Sequence, residues 1–284
     1  MSSLTGTPLE WVYPVFGVSN DEELCTKMGN IGMVYTIIAG LYFLLFPMPY
    51  GRYASGNYGP TMNPKIGWMT QGSMAFFPSV IVIITTPSLQ LENFGNTVAI
   101  FLFLFHVFHR SFIFPIAKSS NSKPTPILIT LNAVLFCGYN GFLQSVHLTN
   151  VHKVEDSFCI YLGIVVFMIG MAINVTHDRM LIGLRKNSSG EGEAKSSSSE
   201  TEAKQMYKIP RGKLFEYVSC ANYLGEIIEW TAFAFITRGY PQIIFALFTT
   251  VCLGIRAVQH HRFYKTLVGD SYPRFRKAII PFIL

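Results

Sequence analysis

Asn222, Glu226 and Glu229 stand at i, i+4 and i+7 in an otherwise apolar stretch, so on a helix they share one face. A carboxylate at bilayer depth costs roughly 2.5–3.5 kcal/mol on insertion scales. Two of them cost about 5–7 kcal/mol unless their face meets a polar cavity or a partner. Three more sets of polar residues recur at helical spacing: His106, His109 and Arg110; Asn174, Asp178 and, two turns on, Arg185; and Arg256, His260 and Tyr264. Trp68 and Gln71 form a smaller pair one turn apart. Cationic and amide groups at one end of an apolar cavity suit an anionic cofactor beside a hydrophobic substrate. The chain has no G-x-G-x-x-G turn and no P-loop, so phosphates would be met by side chains such as Arg185, Lys208 and Arg256.

The elements that must carry these residues are membrane spans. Half of the 284 residues are hydrophobic, only 13% are charged, and 24 are Phe. Mostly apolar runs long enough for a hydrocarbon core of about 30 Å fall near 30–49, 67–86, 96–117, 127–148, 157–175, 217–237 and 241–258. The expected fold is therefore all-α and polytopic, with about seven transmembrane helices. Loops near 52–65, 118–123 and 179–213, with the tail after 256, hold nearly all the cations; the other side has only Lys27, Lys153 and Arg238. The positive-inside rule then predicts a lumenal N-terminus and a cytosolic C-terminus. That asymmetry accounts for the net charge of +6 with no nucleic-acid partner.

The first 28 residues have no basic n-region followed by an apolar core, so the first span reads as a retained signal-anchor behind a lumenal tail, 1–28. Residues 29–284 read as a single membrane-embedded domain. Its segment 187–205, rich in Ser, Glu and Lys, cannot bury apolar area and is expected to be a flexible cytosolic loop. The five cysteines lack paired ligand spacing, so no metal site is expected. No obligate protein partner is evident, leaving membrane lipids and a lipidic substrate as the expected contacts.

Several runs resemble the steroid 5α-reductase family. The strongest are YKIPRGKLFEYVSCANYLGEIIEW at 207–230, RAVQHHRFY at 256–264 and YPRFRKAIIPFIL at 272–284. Weaker matches are YGRY at 50–53, FHRSF at 108–112 and GMAIN at 170–174. The resemblance implies a seven-helix enzyme of the endoplasmic-reticulum membrane that uses NADPH to reduce the 4,5 double bond of 3-oxo-Δ4 steroids. It implies cofactor contacts at Asn174, Asp178, Arg185, Asn222, Arg256, His260 and Tyr264; beside these, Glu226 with Asn222 is expected to help organise the adenine–ribose or nicotinamide end. Lys208 stands where the family often has Arg. Trp68 and Gln71 match positions beside the nicotinamide and the substrate.

Two departures bear on catalysis. The resemblance implies a Glu after Gln71 and a Tyr before the Phe-His-Arg run, both polarising the substrate carbonyl; here these are Gly72 and Val107. Hydride addition to an enone sends charge to that oxygen, and losing one donor there costs on the order of 2.7–4 kcal/mol. Gln71, His106 or a water must then serve instead. The alternative expectation is an NADPH-binding pseudoenzyme or a reductase of a different lipid.

Overall fold

The computed structural model describes residues 9–53, 58–86, 89–118, 122–155, 157–188 and 208–284, with the side chains of 52, 89 and 185–188 outside that description. Among the described residues, seven long helices follow one another: α1 Asp21–Leu45, α2 Pro64–Thr85, α3 Phe94–Ala117, α4 Ile127–Val151, α5 Phe158–Ser188, α6 Ala221–Thr237 and α7 Tyr240–Val268. The described sheet is a single two-residue pairing, Thr61–Met62 with Thr125–Pro126. All the helices except α6 are long and apolar enough to cross a membrane. Their outer faces carry exposed apolar side chains, such as Ile37, Ile38, Leu41, Leu44 and Leu45 on α1.

The sixth expected span is shorter than the sequence indicates. It has 17 residues, starting at Ala221 rather than 217, and so extends about 25 Å. The residues just before it pair with the C-terminal tail instead of continuing the helix. Ser219 N donates to Lys277 O at 2.8 Å, Cys220 N to Ala278 O at 3.1 Å, and Lys277 N to Tyr217 O at 2.8 Å. Other helices outrun their apolar windows. α1 starts at Asp21, where Asn20 caps the helix by accepting from Glu23 N at 2.9 Å and three acidic residues occupy the first turn. α5 and α7 extend by two turns or more beyond 175 and 258, and those extensions carry Asp178, His260 and Tyr264.

Close helix approaches occur where small residues face one another. A Cβ on Gly170 of α5 would lie 2.8 Å from both Glu229 N and Gly225 O, and one on Gly225 of α6 would lie 2.7 Å from Gly170 O. α2 meets α4 through Ala75, Ser79 and Gly141, with Ser79 Oγ donating to Gly141 O at 2.9 Å. The core between α3, α5 and α6 is built from Ala99, Phe103, Phe167, Trp230 and Phe233. Two helices widen locally into π turns, α3 at His109–Ile113 and α4 at His147–Val151. Such widened turns are frequent at functional sites. In α3, Pro115 follows directly and has no amide hydrogen to offer the Ser111 carbonyl.

Candidate functional site

The Gly170–Gly225 contact brings the polar faces of α5 and α6 together. Asn174 Nδ2 donates to Asn222 O at 3.0 Å and to Glu226 Oε2 at 3.3 Å, and Asn222 Nδ2 donates to Asp178 Oδ1 at 2.9 Å. α3 enters from the other side. Arg110 Nη1 donates to Asp178 Oδ2 at 2.6 Å, and its Nη2 lies 3.4 Å from Glu226 Oε2. One turn earlier, His106 Nδ1 is hydrogen-bonded to Glu229 Oε2, while His106 Nε2 is 3.9 Å from Glu226 Oε1. From α2, the half-buried Trp68 closes the group, with the Arg110 guanidinium 5.4 Å from its ring centroid and 4.4 Å from that of Phe114.

Three carboxylates therefore face one guanidinium and one imidazole. His106, Asn174, Asp178, Asn222 and Glu229 are all buried. Among the described residues, Asn174 Oδ1 and Glu229 Oε1 are buried atoms with no hydrogen-bond partner.

A second group lies along the same helix. Tyr223, next to Asn222 on α6, accepts from Arg256 Nε of α7 at 3.0 Å, and its hydroxyl is 3.3 Å from His260 Nε2. The other imidazole nitrogen of His260 is 3.0 Å from the Tyr53 hydroxyl. Arg256 is buried, stacks over the Tyr50 ring at 3.8 Å, and keeps Nη1 without a hydrogen-bond partner among the described residues. One turn after His260, Tyr264 is buried and stacks on Tyr272 at 6.3 Å. Tyr272 in turn meets Ser219 Oγ at 2.6 Å, and burial pushes its phenol above the ordinary range.

Trp68, His106, Asn174, Asp178, Asn222 and Glu226 thus fall in one cluster, and Arg256 and His260 fall in the adjoining one. Tyr264 packs on Tyr272 of the tail. Gln71 is half-buried and makes no hydrogen bond among the described residues, Lys208 is exposed, and the side chain of Arg185 lies outside the described residues. Sequence reasoning placed Glu229 and Arg110 on polar helical faces without giving either a role in the site, and it missed Tyr223. The first two were legible in the helical spacing, but their partners sit on other helices. Tyr223 reads as core, as an aromatic in an apolar helix usually is.

The two departures are packing positions as well as chemical ones. A Cβ at Gly72 would lie 2.7 Å from both Cα and Cβ of the buried Ser111, so α2 and α3 touch there. Val107 is buried in the core shared by α3, α5 and α6. Reinstating a Glu at 72 would collide with α3 backbone rather than fill a cavity.

A family model described as 3-oxo-5-alpha-steroid 4-dehydrogenase matches residues 123–284. The chain is 35% identical to 3-oxo-5-alpha-steroid 4-dehydrogenase 1 of Rattus norvegicus, with 89% of this chain and 92% of the relative covered. It is 37% identical to 3-oxo-5-alpha-steroid 4-dehydrogenase 2 of Macaca fascicularis, covering 84% and 88%. It is 33% identical to Steroid 5-alpha-reductase DET2 of Solanum lycopersicum, covering 93% and 99%. With the matched model spanning more than half the chain and these relatives aligned over most of it, the protein belongs to the 3-oxo-5-alpha-steroid 4-dehydrogenase family of oxidoreductases.

Proposed function

We propose that the protein reduces the 4,5 double bond of a 3-oxo-Δ4 steroid, or a similar lipidic enone, with NADPH. The observation that carries this reading is the convergence of Trp68, Arg110, Asn174, Asp178, Asn222 and Glu226 from four helices, adjoining the Arg256–Tyr223–His260 group. The residues fit a pyridine dinucleotide. Arg256 has an unengaged Nη1 for a phosphate oxygen, and Asn174 an unengaged Oδ1 for an amide donor. Arg185 and Lys208 would add positive charge for phosphates, and Asp178, Asn222, Glu226, His260 and Tyr264 would line the remainder. NADPH, when bound, supplies the hydride.

Among this chain's residues, we assign Gln71 to the carbonyl oxygen; its free amide among the described residues and its position one turn from Trp68 support that reading. We further place the protein in the endoplasmic-reticulum membrane as one reductase domain, 29–284, behind a lumenal tail, 1–28. Its C-terminus and residues 187–205 then face the cytosol.

The test is NADPH consumption by purified protein against a panel of 3-oxo-Δ4 steroids and lipid extracts, scored by products two hydrogens heavier. The packing at Gly72 and Val107 favours one other reading, a cofactor-binding protein that acts on a different lipid or on none. It predicts saturable NADPH binding with no consumption on any 3-oxo-Δ4 steroid.

A further inference from the structure

Reducing an enone takes a proton as well as a hydride. If the protein performs the reaction proposed above, some group must deliver that proton inside an apolar bundle. We propose that Glu229, His106 and Glu226 form a proton relay, with Glu226 as its outlet toward the substrate.

Geometry supports this order. His106 holds Glu229 Oε2 on Nδ1 and turns Nε2 toward Glu226 Oε1 at 3.9 Å, so transfer between them requires the Glu226 side chain to swing in. The other oxygen of Glu226 is held by Asn174 Nδ2 at 3.3 Å and Arg110 Nη2 at 3.4 Å, which leaves Oε1 facing the imidazole. Exposure rises along the line: the Glu229 side chain is 0% exposed, His106 4% and Glu226 16%. The relay therefore runs from a sealed end to a partly open one.

Charge supports it as well. The groups facing His106 are His109 and Arg110 on its own helix, Asp178 on α5, and Glu226 and Glu229 on α6. Among the described residues, Asp178, Glu226 and Glu229 carry up to three negative charges against the positive charge of Arg110 that pairs with them. The His106 ring packs on Trp230 at 4.5 Å, and Glu229 Oε1 has no hydrogen-bond partner. The direct His106–Glu229 contact makes a proton held there the property of the pair rather than of either residue.

The step balances. Hydride addition to the β-carbon moves the π pair of the double bond into an enolate. Glu226 Oε1–H breaks as a C–H bond forms at the α-carbon, regenerating the carbonyl. His106 Nε2 returns a proton to Glu226 and is recharged at Nδ1 from Glu229. After product leaves, the shift reverses, from Glu226 to His106 Nε2 and from Nδ1 back to Glu229, and water at the open end reprotonates Glu226, which restores every group.

Glu229→Gln and Glu229→Asp separate relay from scaffold, with NADPH affinity as the check that each variant is folded. Wild type should show a solvent deuterium isotope effect on kcat. Glu229→Gln should lose about a hundredfold in kcat at unchanged KM and flatten the pH profile, with Glu229→Asp recovering part of the rate. In protein without NADPH, an infrared carbonyl band of a protonated carboxyl should vanish in Glu229→Gln. Should that variant fail to fold, Glu226→Gln at the open end should give the same loss of kcat and pH dependence. Turnover with an unaltered kcat and pH profile in Glu229→Gln or Glu226→Gln overturns the relay alone. A wild-type protein that consumes no NADPH with any enone overturns the relay together with the reading on which it rests.

Discussion

Arg110 joins carboxylates from two helices, Asp178 at 2.6 Å and Glu226 at 3.4 Å, while its guanidinium rests against Phe114 and Trp68. Arg110→Ala removes the guanidinium paired with Asp178 and Glu226 and leaves buried carboxylates uncompensated, a change that costs about 3–5 kcal/mol. Thermal unfolding in detergent should show a drop in midpoint, with Arg110→Lys intermediate because it keeps the charge without the planar fork. Arg256 predicts a different signature. Its loss should leave the bundle assembled but weaken NADPH binding by about 1.5–3 kcal/mol, roughly 10- to 100-fold, in a fluorescence titration. The residues of the cluster were legible as spacing along single helices. Which of them touch was not, since His106 and Glu229, like Arg110 and Asp178, meet across helices and no periodicity encodes that.

At the scale of elements, Gly170 and Gly225 decide whether α5 and α6 can approach closely enough for Asn174 to reach Asn222 and Glu226. A side chain at 225 meets Gly170 O at 2.7 Å and Asn174 Cα at 2.9 Å, backbone atoms that cannot rotate away. Gly225→Val should cost about 1–3 kcal/mol through overpacking and should reduce NADPH affinity in the same sample. The tail and the 210–220 segment form the second decisive contact. Arg276 is buried, donates from Nη1 to Pro210 O at 3.0 Å, and lies 3.6 Å from Glu216 through Nη2.

Glu216 accepts from Gly212 N, and that hydrogen bond, then Arg276 and Arg211, hold its carboxyl below the ordinary range. A carboxyl depressed in the folded protein contributes stability above its unfolded value and loses it as pH falls through the folded one. The protection of the Ser219 and Cys220 amides from hydrogen exchange, relative to their intrinsic rates, should therefore fall in acid below the ordinary carboxylate range. Glu216→Gln should remove that acid dependence. The same tail explains why the start of α6 was misplaced by the apolar pattern. Residues 217–220 look like membrane helix by composition, yet their backbone groups pair with Lys277 and Ala278.

For the whole molecule, the count and order of helices followed from apolar runs, because lipid forces backbone groups to be satisfied within each segment. The helix ends did not, because hydropathy is blind to polar turns such as Asp21–Glu23 and the stretch after 258, which are helical but wet or buried in polar contacts. The closed approach of α2 and α3 at Gly72 was equally hidden: a missing side chain in sequence looks like a lost function, and only packing shows that the space is occupied by Ser111. The most direct test of the central claim follows the hydride itself. Purified protein incubated with NADPH deuterated at the transferable position and a 3-oxo-Δ4 steroid should yield a saturated product carrying one deuterium from the cofactor. A product without that deuterium, or no product from any enone offered, contradicts a hydride-transferring reductase.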